Sequence, residues 1–204
     1  MRFGFWNRVG ASALAAGLLL GTSGTMQAGD DRSGVNEDVA SLSAAILAGP
    51  GTKYHLRMHH LHTGEDIDVV YKVGEQYVPA ALEQLNRFLR DHRTDDVSHY
   101  DPKEFDLLHS MMAKLGKPNG VIDIVCGYRT PMSNEYLRTR AAVTGVAEHS
   151  QHMLAKAIDI RVPGVQTRRL RDVALSLHGG GVGYYPVSQF VHVDVGPVRQ
   201  WAFR

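Results

Sequence analysis

The chain has 204 residues, 44% hydrophobic and 21% charged, which is typical of a globular domain and excludes fibrous and fully disordered proteins. Its 22 Lys and Arg nearly balance its 21 Asp and Glu, and without a basic run this charge argues against nucleic-acid binding. A single cysteine, Cys126, excludes an internal disulfide and a cysteine-rich zinc site, whereas 11 histidines allow a metal held by imidazole and carboxylate.

The first 28 residues have the layout of a secretory signal peptide. Arg2 and Arg8 precede an apolar run over residues 11–21, which is shorter than the roughly 20 residues that span a bilayer. We expect export to the periplasm, with a membrane attachment only if residues 1–28 are not cleaved. Residues 29–53 are mainly small and polar, with one apolar patch over residues 40–47, and predict a linker with room for a turn or two of helix, so that the folded domain covers residues 54–204.

The first half of this domain predicts a hairpin followed by helices. Two β-rich segments flank Thr63–Glu65, a turn that contains glycine, and together they predict a β-hairpin. Pro79 and the pair Asp101-Pro102 are typical helix starts, and apolar residues at helical spacing follow each of them. The run VIDIV over residues 121–125 predicts a strand.

The second half adds strands whose faces differ in polarity. Alternation over Ala155–Val162 predicts a half-buried strand with Asp159 facing away from the apolar layer. Gln166–Leu177 predicts an amphipathic helix, the glycine run 179–183 a turn, and Gln189–Gly196 the last strand. The mixed order of strands and helices predicts an α+β fold, with a mainly antiparallel sheet and helices packed on one side.

Three side chains form the strongest candidate metal site. His152 is followed after seven residues by Asp159 and later by His192. Two imidazoles and a carboxylate suit a catalytic Zn²⁺, because three protein ligands leave a fourth position for a water whose pKa falls toward about 7. We expect this zinc site on the open face of the sheet. Chance proximity of histidines to an aspartate remains the alternative that spacing alone allows.

Longer motifs surround these three residues. They are GYRTP from Gly127, SQH from Ser150, AIDI from Ala157, GGVGYYP from Gly180 and FVHVDVGPVRQW from Phe190. On these motifs the chain resembles the murein endopeptidase K family, within the lysostaphin and D-Ala-D-Ala carboxypeptidase type of zinc peptidases. The resemblance covers the chain from Tyr54 onwards.

This resemblance implies a site and a reaction. It implies that His152, Asp159 and His192 are the zinc ligands and that the substrate is the peptide cross-link of peptidoglycan. We therefore expect a zinc-dependent murein endopeptidase that acts on stem peptides. The alternatives are a D,D-carboxypeptidase on stem peptides and a peptidoglycan-binding module without turnover.

The chain departs from the common pattern of these peptidases at two places. Ala155 stands where the pattern has glycine, which tolerates a positive φ far better than alanine does. The usual positions of the general base are Gln189 and Phe190, which cannot accept a proton. Asp194 shares a strand face with His192 and is predicted either to act as the base or to orient that imidazole. His149 is the other candidate base, with an exposed solvated histidine as the alternative interpretation.

Arg129 and three tyrosines are the candidate residues of the substrate cleft. Arg129 follows a predicted strand and would bind a substrate carboxylate or stabilise an oxyanion, unless it forms a salt bridge with Glu135 or Asp159. Tyr128, Tyr184 and Tyr185 are predicted to line the cleft, with simple packing as the alternative for each, and Tyr128 and Tyr184 are the two expected to bind substrate.

The remaining metal-type side chains are interpreted as structural. His55, His59, His60 and His62 are close in sequence, but no carboxylate accompanies them, so a hydrated hairpin surface is favoured over a second metal site. Cys126 is predicted to pack as a small apolar residue.

Overall fold

The structure is a computed structural model that describes residues 32–142 and 144–203. The predicted signal peptide, residues 1–28, lies outside the described residues. No helix in the described part of the chain has the length and apolar character needed to cross a bilayer.

Helices and strands alternate irregularly along the described residues. In chain order they are α1 (Arg32–Ala48), β1 (Lys53–His60), β2 (Asp66–Val73), β3 (Gln76–Tyr77), α2 (Pro79–Phe88), α3 (Pro102–Lys114), β4 (Val121–Cys126), α4 (Pro131–Thr139), a 3-10 turn (Gln151–Leu154), β5 (Ala157–Arg161), α5 (Thr167–Leu177), β6 (Gly181–Tyr185), β7 (Phe190–Asp194) and β8 (Arg199–Ala202).

All eight of these strands form one sheet, in the order β3-β2-β1-β4-β5-β7-β6-β8. The pairs β1–β4 and β6–β8 are parallel, and the other five neighbouring pairs are antiparallel. This confirms the predicted α+β fold with a mainly antiparallel sheet. The predicted hairpin is β1–β2, closed by the turn at Gly64, where φ is 73°.

One face of the sheet packs against helices and forms the core. The inward residues of β4, β5 and β7 alternate with polar ones, as a strand with one buried face requires. They pack with apolar side chains of α2, α3 and α5, among them Leu85, Phe105 and Leu170. Helix α4 is different, because its buried apolar residue Leu137 lines a cleft instead of joining this core.

The segment predicted as a linker, residues 29–53, contains a helix that packs on the domain. Helix α1 contacts α2 and β2. Its Ser43 is buried, and the Oγ of Ser43 accepts a hydrogen bond of 3.0 Å from the backbone N–H of Ala80. Val78 at the start of α2 has no side-chain oxygen to cap the helix, so Ser43 supplies the cap from outside. The linker prediction was therefore wrong for Arg32–Ala48.

The glycine run was predicted as a turn, but most of it forms strand β6. Close packing explains why glycine stands there. A Cβ on Gly180 would lie 1.8 Å from the carbonyl oxygen of Asp194, and one on Gly183 would lie 2.6 Å from the Trp201 ring. Strand β8, which carries Trp201, follows β7, so β7 is not the last strand as predicted.

Candidate functional site

Strands β5 and β7 place two of the predicted site residues side by side. Asp159 and His192 are direct cross-strand partners in the antiparallel pair. Their neighbours Ile158 and Val193 point into the core, so the period of two turns Asp159 and His192 to the opposite face. Asp159 is 8% exposed and His192 is 5% exposed.

His152 reaches the same point from the 3-10 turn. The Oγ of Ser150 caps this turn by accepting a hydrogen bond from the backbone N–H of His152. The side chain of His152 is only 1% exposed, and its ring lies 4.9 Å from that of His192, centroid to centroid. The structure thus brings all three predicted metal ligands together.

Their donor atoms form a small triangle. His152 Nε2 lies 3.2 Å from Asp159 Oδ1 and 3.0 Å from His192 Nδ1, and His192 Nδ1 lies 2.9 Å from Asp159 Oδ1. Donors about 2.0 to 2.1 Å from a tetrahedral ion would be about 3.3 Å apart. The triangle therefore fits one small divalent cation.

The second nitrogen of each imidazole is held by an oxygen. His152 Nδ1 donates to the carbonyl of Gly127 at 2.7 Å, and His192 Nε2 donates to Asp194 Oδ2 at 2.9 Å. Each bond fixes the tautomer, so the other nitrogen turns its lone pair toward the triangle. Gly127 can come this close because it has no side chain, since a Cβ there would lie 2.5 Å from the Leu89 carbonyl oxygen.

Asp194 is fully buried and both of its oxygens are occupied. Oδ1 accepts from the backbone N–H groups of Gly181 and Gly196, and Arg199 donates to both oxygens at 3.0 and 2.8 Å. Burial alone would raise the pKa of Asp194, but the bonds from His192 and Arg199 hold it well below its usual range. Of its two predicted roles, these contacts favour orienting His192 over acting as a base. Arg199 itself was not singled out from the sequence.

The electrostatics around Asp159 and His152 suit cation binding near neutral pH. Burial would raise the pKa of Asp159, but the imidazoles of His152 and His192 beside it lower it, so the carboxylate stays ionised. Burial lowers the pKa of His152 to about 4, and the charge of Arg129 acts in the same direction. The His152 ring is therefore neutral at pH 7, as a metal ligand must be.

Cys126 also faces the site, which its sequence position did not predict. The register between β4 and β5 shifts after Ile124, so Cys126 pairs with Asp159 although its spacing from Ile124 predicts the core side. Its sulfur, the Asp159 carboxylate and a His152 nitrogen lie within 4.8 Å of one another. Burial raises the pKa of the Cys126 thiol to about 12, so the thiol is protonated and is a weaker ligand than the three atoms of the triangle.

Ala155 adopts the conformation for which the common pattern has glycine. Its φ is 50° and its ψ is 46°, a left-handed geometry that costs a non-glycine residue about 1 to 2 kcal/mol. The methyl group is fully buried in the apolar core, which offsets part of this cost. The loop after His152 therefore keeps the geometry of a glycine loop.

Arg129 is buried at the edge of the cleft beside the triangle. Its guanidinium donates to Ser150 Oγ at 3.1 Å, and its Nε has no hydrogen-bond partner in the described part of the chain. The alternative of a salt bridge is not realised, because Glu135 pairs with Arg138, and Asp159 with the two imidazoles. Arg129 is therefore available to bind an anionic group of a ligand.

Two of the three tyrosines are placed differently from the prediction, and Tyr185 lines the cleft as expected. Tyr184 pairs with Val191 on the core face and packs against Arg171, so the prediction that it lines the site is wrong. Tyr128 packs against the core and does not line the cleft. The next residue, Tyr185, is on the site face because side chains alternate along β6, and it does line the cleft.

The triangle opens into a cleft of about 330 Å³. The side chains of Arg93, Arg129 and Arg140 line it, as do His62, His92 and His149. Asp159 is the one acidic side chain in the described lining, so the cleft favours anionic ligands.

The early histidines are not all on a hydrated surface. His55 and His59 are partly exposed and pair with Asp68 and Asp66 of the facing strand, carboxylates that the sequence order did not place beside them. His60, in contrast, is fully buried. The interpretation as a hydrated hairpin surface is thus wrong for His60.

Comparison with known proteins identifies the family. Residues 50–201 match the family described as peptidoglycan L,D-endopeptidase MepK. The chain belongs to this family. It is 40% identical over 170 residues to the probable peptidoglycan L,D-endopeptidase MepK of Haemophilus influenzae, covering 82% of this chain and 90% of that protein. The MepK of Escherichia coli K12 is also 40% identical over 170 residues, covering 79% of this chain and 91% of that protein.

A search of the solved structures found no match to this chain. Family membership confirms the predicted murein endopeptidase family and makes the chain a peptidase of the peptidoglycan-hydrolase class. The peptidase family is generally metal-dependent, and the described structure contains a group of side chains that is able to hold a metal.

Proposed function

We propose that this chain is a zinc-dependent L,D-endopeptidase that hydrolyses peptide cross-links between the stem peptides of peptidoglycan. The observation that carries the proposal is the triangle of His152 Nε2, Asp159 Oδ1 and His192 Nδ1, with sides of 2.9 to 3.2 Å. Two imidazoles and one carboxylate are a typical ligand set of catalytic zinc.

The side chains around the triangle have separate tasks in this proposal. His152, Asp159 and His192 hold Zn²⁺, which when bound acts as a Lewis acid and lowers the pKa of a coordinated water. Asp194 and the Gly127 carbonyl keep the two imidazoles in the ligating tautomer.

Arg129 binds the substrate beside this site. Its buried guanidinium has donor capacity that no described carboxylate satisfies, so it is set to hold a carboxylate of the stem peptide or the oxyanion that develops during hydrolysis. Such a donor stabilises the transition state most where water is excluded.

The proton transfer requires a group other than Asp194. We assign it to His149, an exposed imidazole that lines the same cleft as the triangle. In hydrolysis the C–N bond breaks and a C–O bond forms, while His149 takes the proton of water and gives it to the leaving amine.

Export is part of the same proposal. A peptidoglycan hydrolase must meet its substrate outside the cytoplasmic membrane, and the signal-type pattern of residues 1–28 supports a periplasmic location.

The experiment is a digest of cross-linked sacculi by the purified protein, followed by mass spectrometry of the muropeptides. Samples contain zinc, a chelator, or the His149→Ala variant with zinc. We expect dimeric muropeptides to fall and monomers to rise only with zinc, and the His149→Ala variant to be at least about tenfold slower. Loss of one D-Ala from monomers would instead indicate a carboxypeptidase. Unchanged muropeptides with zinc bound would contradict the proposal and leave a binding module.

A further inference from the structure

A second group of histidine side chains lines the cleft, separate from the metal triangle. The imidazoles of His62 and His92 are stacked, with ring centroids 4.1 Å apart and an angle of 9° between their planes. Both rings and the guanidinium of Arg93 belong to the lining of the same cleft as Asp159. We call His62, His92 and Arg93 the histidine stack subsite.

A buried side chain fixes the first half of this subsite. His60 is fully buried below the stack, and its Nδ1 accepts the backbone N–H groups of His62 and Thr63 at 3.2 and 3.3 Å. His60 thereby holds the turn that carries His62. The Nδ1 lone pair is used in these bonds, so Nε2 carries the proton and has no lone pair for a metal. The same tautomer leaves the buried Nε2–H without a partner among the described residues.

Another buried side chain fixes the second half. The Oδ1 of Asp91 accepts the backbone N–H of Arg93 at 3.0 Å, and its Oδ2 accepts both the N–H and the hydroxyl of Thr130 at the start of α4. This buried carboxylate therefore ties the loop of His92 and Arg93 to the helix that borders the cleft. Both halves are held in place without a ligand, which lowers the entropy cost of binding one.

The charge of the subsite is positive and comes from Arg93. Burial lowers the pKa of His92 to about 4, with Arg93 and His62 acting in the same direction, so the His92 ring is neutral at pH 7. Two acidic groups of the neighbouring segments are already engaged, since Glu65 pairs with Arg90 at 2.8 Å and Asp91 with the Arg93 backbone and Thr130. No described carboxylate pairs with Arg93.

We propose that the histidine stack subsite binds a free carboxylate of the stem peptide. Arg93 makes the charged contact, and the two stacked imidazoles border the subsite and offer N–H donors. The inference rests on the proposed function and adds a specificity: the enzyme prefers cross-links whose stems carry a free side-chain carboxylate over the same stems with that group amidated. Guanidinium and carboxylate are matched in geometry, whereas an amide offers one oxygen and no charge.

The test measures binding, which requires no cleavage. The zinc-loaded protein is titrated with a soluble uncross-linked stem peptide and with the same peptide amidated at its side-chain carboxylate. We expect amidation to weaken binding about tenfold, because one hydrogen bond to a charged group is lost. We also expect the carboxylate peptide to shift the imidazole C–H resonances of His62 and His92.

Two variants decide the assignment. In R93Q the difference between the two peptides should fall below about twofold. In the matched control R138Q it should stay unchanged, because Arg138 pairs with Glu135 and does not line the cleft. Equal binding of both peptides by the wild type, or an undiminished difference in R93Q, would overturn the proposal. If the wild type binds the two peptides with different affinities but digests no sacculi, the subsite proposal is supported and the endopeptidase proposal fails.

Discussion

Asp194 and Glu104 are two of the three fully buried carboxyl groups among the described residues; they lie on opposite sides of the sheet and have opposite surroundings. Asp194 on the site face accepts five hydrogen bonds, from His192, Arg199 and two backbone N–H groups. Glu104 of α3, on the helix-covered side, has no partner for either oxygen among the described residues. Burial raises the pKa of Glu104 well above its usual range, and the charges of Asp194 and Asp101 act in the same direction, whereas that of Asp194 is lowered.

The difference in pKa between the two carboxyl groups follows from the number of hydrogen-bond donors and positive charges around each of them. An ionised carboxylate inside a protein is maintained only by donors and positive charge, and here those donors form a chain from Arg199 through Asp194 and His192 to the triangle. Glu104 has no such chain, so it stays neutral and destabilises the fold when it ionises. The network on the site face should therefore control metal binding, and Glu104 should affect stability alone.

The largest effect is expected from Asp159→Ala, which removes the one anionic corner of the triangle. We predict metal affinity to fall by at least about 100-fold and peptidoglycan cleavage by on the order of 10³-fold or more. Metal content by mass spectrometry and the muropeptide digest measure the two quantities. Asp66→Ala is the matched control, because Asp66 also pairs with a histidine but lies exposed on the hairpin. Equal loss of metal in both variants would contradict the assignment.

A smaller effect is expected from Asp194→Asn, which keeps the size of the side chain but removes its charge. The His192 imidazole then loses its ionised acceptor, and metal affinity should fall by about 10- to 100-fold while the protein still folds. Isothermal titration with zinc, with circular dichroism for the fold, checks this. The exposed Asp172→Asn is the control, and an unchanged zinc affinity in Asp194→Asn would show that the network does not tune the site.

Glu104→Gln should change the pH dependence of stability and leave metal binding intact. Because the folded-state pKa of Glu104 is raised, its stabilising contribution is complete below the unfolded pKa and is lost as the pH rises toward the folded one. Relative to wild type, the unfolding free energy of the variant should therefore rise between pH 4 and pH 8. Urea titrations at both pH values measure it, with the exposed Glu83→Gln as control. Parallel pH profiles of wild type and Glu104→Gln would contradict the prediction.

Ala155→Gly is expected to have the smallest effect because three contributions oppose one another. Relief of the left-handed φ gains about 1 kcal/mol, the lost buried methyl costs about 0.8 kcal/mol, and the added freedom of the unfolded chain costs about 0.5 to 1 kcal/mol. The unfolding free energy should therefore change by less than about 1 kcal/mol, as measured by urea titration. A gain of more than about 2 kcal/mol would mean that the alanine strains the His152 loop.

Simple periodicity was sufficient to predict much of the fold and the arrangement of the triangle. Alternation along β5 and β7 predicted that Asp159 and His192 leave the core on the same face, and proline and Asp-Pro starts predicted α2 and α3. These features depend on residues that are close together in the sequence, so the local sequence pattern is sufficient to predict them.

Features that depend on register or distant packing were not predictable in this way. The bulge before Cys126 turns the Cys126 side chain to the other face of the sheet, and no residue type near it indicates a bulge. The packing of α1 on α2 is likewise not indicated by the local sequence. The choice between Tyr184 and Tyr185 needed the pairing of β6 with β7, since either tyrosine fits the alternation until that register is known. The role of Asp194 needed Arg199 and two backbone N–H groups that reach it from other elements.

The most direct test of the account is anomalous diffraction at the zinc edge from crystals of the zinc-loaded protein. We predict one strong peak about 2.0 to 2.2 Å from His152 Nε2, Asp159 Oδ1 and His192 Nδ1, with Asp194 hydrogen-bonded behind His192 and Cys126 outside the coordination sphere. A peak bound to the Cys126 sulfur in place of one of these atoms, or one at His60, His62 and His92, would contradict it.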